Sequence, residues 1–151
     1  MFQKLIRTWP VWFTLPVRLG LGVVFIAHGT QKVFGAWGGR GLSAFMENPA
    51  PLGLKPAWLW MAAAALSELI GGLLVLFGLV TRLGAVLIFI VMLVAILGVH
   101  WAGGFFLKGG DARDGIEYAF TLALMCVALL ISGGGRYSLD YSLMDPRNRR
   151  R

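Results

Sequence analysis

The stretch WLWMAAAALSELIGGLLVLFGLV, Trp58–Val80, decides what kind of molecule this is. It carries a single ionisable side chain, Glu68, in a run of Leu, Ala, Val and Ile. At a rise of ~1.5 Å per residue it is long enough, as a helix, to cross a hydrocarbon layer ~30 Å thick. It does not alternate polar and apolar residues as the wall of a membrane barrel must. A helix also satisfies every backbone N–H and C=O within the segment, which lipid cannot do.

Working outward, three more apolar stretches have the same character, at about residues 16–34, 83–106 and 115–132. A chain of 151 residues with only 14% charged residues and a mean hydropathy of +0.74 cannot cover an apolar core with polar surface, so it must shed hydrophobic flanks into lipid or a partner. The expected architecture is all-α: one transmembrane domain over 1–151, a four-helix bundle. Val80, Thr81 and Arg82 leave almost no room between the second and third spans, which makes those two helices antiparallel neighbours.

Basic residues set the orientation. With a cytoplasmic N-terminus, that side collects Lys4, Arg7, Arg18, Arg82, Arg136, Arg147, Arg149, Arg150 and Arg151, against Arg40, Lys55, Lys108 and Arg113 opposite. The positive-inside rule then places both termini in the cytoplasm and the chain in the inner membrane. Trp9, Trp12, Trp37, Trp58, Trp60 and Trp101 fall near span ends, as interfacial tryptophans do. The net charge of +7 is explained by basic ends facing an anionic leaflet. The run Arg147–Arg151 therefore reads as a topology anchor and not as a nucleic-acid patch. Residues 1–36, with His28, Gln31 and Lys32 in their apolar part, are expected to be a retained span and not a cleaved signal. The lone cysteine, Cys126, excludes an intrachain disulfide or CxxC redox pair.

The first loop after span one is rich in glycine and proline, with Leu42–Glu47 as a candidate short interfacial helix that could lie over an outward-facing pocket. Before the fourth span, Asp114 and Glu117 have the spacing of a capping box.

Ionisable groups at membrane depth cost about 2.5–3.5 kcal/mol each on insertion scales and usually face the bundle interior. Here they are His28 and Lys32 in span one, Glu68 in span two, His100 in span three and Glu117 in span four, accompanied by Gln31 and Tyr118. In the topology above, all lie between the midplane and the outer surface. Glu68 is the deepest, so its carboxyl must be hydrogen-bonded or paired, with His28 or Lys32 as the partner. The expected site is one outward-facing chamber in which Glu68 acts as acid/base and His28 exchanges protons. Gln31, Lys32, His100, Glu117 and Tyr118 would bind the ligand. Three chemistries fit. A quinone head group suits a His–carboxylate pair, because quinol loses protons as it loses electrons. His28 and His100 could instead ligate haem or a metal. Alternatively, the polar cluster only ties helices together in a non-enzymatic scaffold or small-solute carrier.

RLGLGVVFIAHGTQKVFG (18–35), SELIGGLLVLFGLVTRLGA (67–85) and GGGRYSLD (133–140) resemble the DoxX family of small four-helix membrane proteins. The resemblance covers about Arg18–Asp140. It implies association with quinone-linked oxidoreductases, since the family name comes from subunits of a terminal quinol oxidase and a thiosulfate:quinone oxidoreductase. It also implies an oxidoreductase or redox-stress partner, other members being associated with complexes that contain a sulfurtransferase and superoxide dismutase. The glycine-rich faces would permit a homo-oligomer. For Gly133–Asp140 the local reading is structural: a glycine helix stop, with Arg136 on the helix dipole and Asp140 as its partner or as a cap.

Overall fold

The computed structural model describes residues 3, 6–108 and 114–144, and every described element is helical. The basic tail, Lys4 and Arg113 lie outside these residues. Four long helices dominate: α1 Thr14–Phe34, α3 Ala57–Phe77, α4 Thr81–Ala95 and α5 Glu117–Ser132. A short helix α2, Gly41–Met46, lies in the first loop, and α6, Leu139–Leu143, follows the last long helix. Beyond Ala95 the third long helix continues as a π turn, Ile96–His100, and a 3₁₀ turn, Trp101–Gly103. By length and composition, Ala57–Phe77 and Thr81–Gly103 can each cross a membrane, with mean hydropathies of 1.9 and 2.8. Glu117–Ser132 is apolar but shorter.

Helix α1 runs along α3, α3 packs on α4 and α4 on α5, while α5 returns to α1 over a shorter stretch. The α1–α3 contact is close because glycines line it. A Cβ at Gly29 would sit 2.6 Å from the Leu69 backbone, and one at Gly72 would sit 2.8 Å from the Ile26 nitrogen. Only small residues permit such an approach. The core joins Leu21 and Phe25 of α1 to Val75, Ile88, Met92, Leu122 and Leu129, with Cys126 fully buried among them. Large apolar side chains stay exposed along all four helices, including Val23, Ile70, Ile90 and Leu124, and all six tryptophans are exposed. This outer apolar belt is what a lipid solvent would cover.

Helix α3 stops at Phe77, three residues before the expected boundary, because Gly78 adopts a left-handed conformation (φ 66°) and the Leu79 N–H donates back to the Leu74 carbonyl. The antiparallel turn to α4 is thus Gly78–Val80. It is held from both sides. Arg18, 2% exposed, donates from Nε to the Val75 carbonyl (2.9 Å) and from Nη2 to the Leu76 carbonyl (2.7 Å), at the negative end of α3. Its Nη1 donates to the Gly134 and Tyr137 carbonyls at 3.0 and 2.8 Å. Asp140 meets the positive end of α4. Its carboxylate accepts from the Val80 N–H (2.6 Å), the Thr81 N–H (2.8 Å) and the Thr81 hydroxyl (2.6 Å).

The segment 133–140 is therefore a clasp over the α3–α4 turn, and Arg136 is exposed and not the partner of Asp140. Gly135 fits because its φ is 81° and a Cβ there would run into the Thr14 hydroxyl. The N-terminal segment is stitched to the same place: Trp9 N–H donates to the Ser132 carbonyl and Arg136 N–H to the Val11 carbonyl.

The capping box at the fourth span is not formed. Helix α5 starts at Glu117, and Ile116 stands at its N-cap. The loop carbonyls of Gly104 and Phe105 accept the Ile116 and Glu117 N–H groups, which leaves little for a side-chain cap to do. Glu117 instead accepts the Leu107 N–H (3.1 Å), and Asp114 accepts the Lys108 N–H (3.2 Å).

Candidate functional site

At the end of the molecule opposite the clasp, α1 ends at Gly35 and α3 begins at Ala57. Lys32 stands in the last turn of α1, where a cation is favoured by the helix dipole. Its ammonium reaches both carboxylate oxygens of Glu68 at 2.5 Å. The Glu68 side chain is only 4% exposed and that of Lys32 24%. The carboxylate is thus sealed among helices while the cation spans from it to the surface. The ammonium also lies 5.4 Å from the Phe45 ring centroid, within cation–π reach, so α2 covers it from the side.

Lys32 lines a cleft of about 250 Å³ shared with Gln31, Arg40, Phe45 and the glycines of the 38–41 turn. Among these lining residues the polar side chains are Lys32, Arg40 and Gln31, all hydrogen-bond donors, and no carboxylate joins them. The cleft can therefore hold a ligand that presents oxygen acceptors. The turn itself is tightly folded: Trp37 has a positive φ of 49°, and Gly38 and Gly41 take φ near 80°.

The other residues singled out from sequence are spread over the same end without entering this cleft. His28 is exposed on α1, and Lys32 occupies both oxygens of Glu68. The two residues are four apart, yet only the long lysine stem reaches the carboxylate. Tyr118 is 45% exposed on α5. Glu117 anchors the loop before α5. His100 lines a second and larger cavity of about 560 Å³, together with Asp114 and the Pro49–Leu52 strap. The single chamber expected from sequence is two separate cavities. His28 lines neither of them, and among the described residues no three His, Cys, Asp or Glu side chains gather to hold a metal ion.

The DoxX family model matches residues 13–101, the segment that carries Arg18, Lys32, Glu68 and the turn between α3 and α4. The chain belongs to the DoxX family. Among relatives, CatD of Bacillus subtilis strain 168, whose name proposes an oxidoreductase, is 32% identical over 127 residues, 84% of each chain. An uncharacterised membrane protein of Mycobacterium tuberculosis is 34% identical over 140 residues, 84% of this chain and 78% of the relative. An uncharacterised protein of Haemophilus influenzae is 30% identical over 128 residues, 83% and 80% of the two chains. No solved structure matches the chain significantly. This DoxX protein is thus a membrane protein, helical in every element of its described residues, with a relative of oxidoreductase name.

The buried role of Arg18 is not foreseen by the sequence reading, and Asp140, expected to pair with Arg136 or to cap its own short segment, caps α4 instead. Arg18 meets the same criterion as Glu68, an ionisable group inside an apolar stretch, although the charge count alone places it with the cytoplasmic basic residues. In the cleft, Arg40 and Phe45 were not singled out either. Their signal was a cation and an aromatic flanking the glycines that follow Lys32.

Proposed function

We propose that this DoxX protein is a four-span, multi-pass inner-membrane subunit, one domain with both termini cytoplasmic. In this reading it takes a quinone-like or other small redox ligand into the Lys32 cleft and serves an oxidoreductase partner. One observation carries the reading: a buried carboxylate is held by a lysine whose ammonium also lines an open cleft. A quinone-type carbonyl would accept from Lys32, Gln31 or Arg40, with its ring against Phe45. Such a ligand competes with Glu68 for the ammonium, and the released carboxylate becomes the group able to take or give a proton. Glu68 is the acid/base in this scheme and Lys32 its switch, while His28, exposed outside the cleft, has no direct part. The orientation follows the basic residues of the full sequence, which place the cleft on the outer side.

The test is titration of purified protein in detergent with a short-chain ubiquinone, followed by tryptophan fluorescence, beside lipid extraction of the preparation. Wild type should bind saturably, and Lys32→Met and Glu68→Ala should each lose binding by tenfold or more. Wild-type affinity in both variants would refute the assignment. The scaffold reading has its own support, since the Lys32–Glu68 pair ties α1 to α3. It predicts no saturable binding to wild type and a lowered melting temperature in Glu68→Gln.

A further inference from the structure

The second cavity differs from the Lys32 cleft in chemical sign. Its volume is about 560 Å³, and its walls are the Pro49–Leu52 strap on one side and Gly98, Val99 and His100 on the other, with Asp114 at the rim. Both walls are built with irregular backbone. Leu52 holds a positive φ of 60°, a conformation that L side chains rarely adopt. Gly98 lets the strap approach, because a Cβ there would lie 2.7 Å from Pro51 Cβ. The third long helix changes from α to π hydrogen bonding over Ile96–His100. Ile88, Met92 and Ile96 are buried at four-residue spacing. His100 would continue that stripe into the core, and the wider turn instead places its imidazole on the cavity.

The imidazole has a defined role there. Its Nδ1 lies 3.3 Å from the Asp114 carbonyl oxygen. A carbonyl can only accept, so Nδ1 is the donor of this contact, and in the neutral imidazole Nε2 is then the acceptor. Among the lining residues only His100 and Asp114 have polar side chains, and the Asp114 carboxylate already accepts the Lys108 N–H, so the acceptor offered here is the imidazole, whereas the Lys32 cleft offers donors. The exposed Leu52 and Val99, with Pro49, Ala50 and Pro51, make the rest of the lining apolar.

We propose that this cavity is a second ligand site, one for an amphiphile with an apolar body and a hydroxyl that donates a hydrogen bond to His100 Nε2: an alcohol or phenol. The reduced, dihydroxy form of a quinone is in this class, but the inference stands without the function proposed above. The site discriminates by the O–H donor, so a methyl ether of the same shape binds more weakly.

The probe pair is 4-heptylphenol and 4-heptylanisole, titrated against the full chain in detergent with tryptophan fluorescence as readout, Trp101 being the neighbour of His100. The phenol should bind saturably and the anisole about tenfold more weakly, roughly the worth of one hydrogen bond. His100→Phe should abolish the preference, and His100→Gln, which keeps an acceptor oxygen, should restore part of it. Lys32→Met should leave phenol binding unchanged, which separates this site from the quinone cleft. Equal affinities for phenol and anisole, or an unchanged preference in a folded His100→Phe, would overturn the proposal.

Discussion

The two ends of this molecule bury charge in different ways. At the clasp, Arg18 spends its donors on four backbone carbonyls and Asp140 caps the neighbouring helix, with the N- and C-terminal segments closed over both. At the other end Glu68 has one cation, held on a flexible stem beside an open cleft. A charge satisfied by backbone is fixed in place, because its partners cannot leave without unfolding a turn. A charge satisfied by one partly exposed lysine can be released by a competing ligand. The first arrangement is architecture, and the second has the form of a site.

The largest expected effect is at the clasp. Arg18→Met would take a donor from four carbonyls and remove the cation near Asp140. Val75 keeps the Gly78 N–H and Gly134 the Thr14 hydroxyl, so the Leu76 and Tyr137 carbonyls lose most. A loss of at least ~3 kcal/mol is expected from such unpaired buried groups. Arg18→Lys should recover only part of it, since an ammonium has three donors and no planar fork. Thermal unfolding in detergent measures both. If Arg18→Met melted with the wild type, the closed end would owe its stability to packing and the contrast between the ends would fail.

Next in size is an asymmetry across the Lys32–Glu68 pair. Lys32→Met strands a carboxylate that is only 4% exposed, whereas Glu68→Gln strands a lysine that is 24% exposed and can turn toward water. The first should cost about 3 kcal/mol and the second about 1 kcal/mol. Equal losses would show that the lysine is as confined as the carboxylate, and the pair would then resemble the clasp.

Much of this was legible in the amino-acid order. The apolar stretches and the short link after Val80 specify long antiparallel helices, and a carboxyl as deep as Glu68 demands a partner. Helical spacing placed His28 and Lys32 on one face but could not say that only a four-carbon stem would reach across to α3. The capping box failed because backbone carbonyls from 104 and 105 fold back onto α5, a long-range event that spacing does not encode. Arg18 counts in the sequence only as a cytoplasmic-side cation, because its burial depends on segments more than a hundred residues away folding over it. For the same reason the glycines of 133–135 read only as a helix stop, whereas in the structure they also admit Thr14, Thr81 and Ser138 at close range.

A smaller effect separates the charge of Asp140 from its shape. Asp140→Asn keeps one acceptor oxygen but replaces the other with a donor facing N–H groups. It should cost about 1–2 kcal/mol, in the range of a lost helix cap. The readout is again the melting temperature, with no change expected in ligand binding at the far end.

The smallest effect should be a gain. Val80 is the last residue before α4 and adopts the left-handed conformation (φ 45°, ψ 46°), where a β-branched side chain is strained. Its N–H is tied to Asp140 at 2.6 Å, so the carboxylate holds the residue in that conformation. Asparagine tolerates the left-handed region, and Val80→Asn should raise stability by up to ~1 kcal/mol. In an Asp140→Ala background the turn is no longer pinned, the strain relaxes, and the gain should shrink. A gain of equal size in both backgrounds would mean that packing around Val80, and not the carboxylate, sets the turn. A loss in the wild-type background would mean that the valine side chain contributes more by packing than its backbone costs in strain. Either result would reassign the stiffness of the closed end from its hydrogen bonds to its apolar contacts.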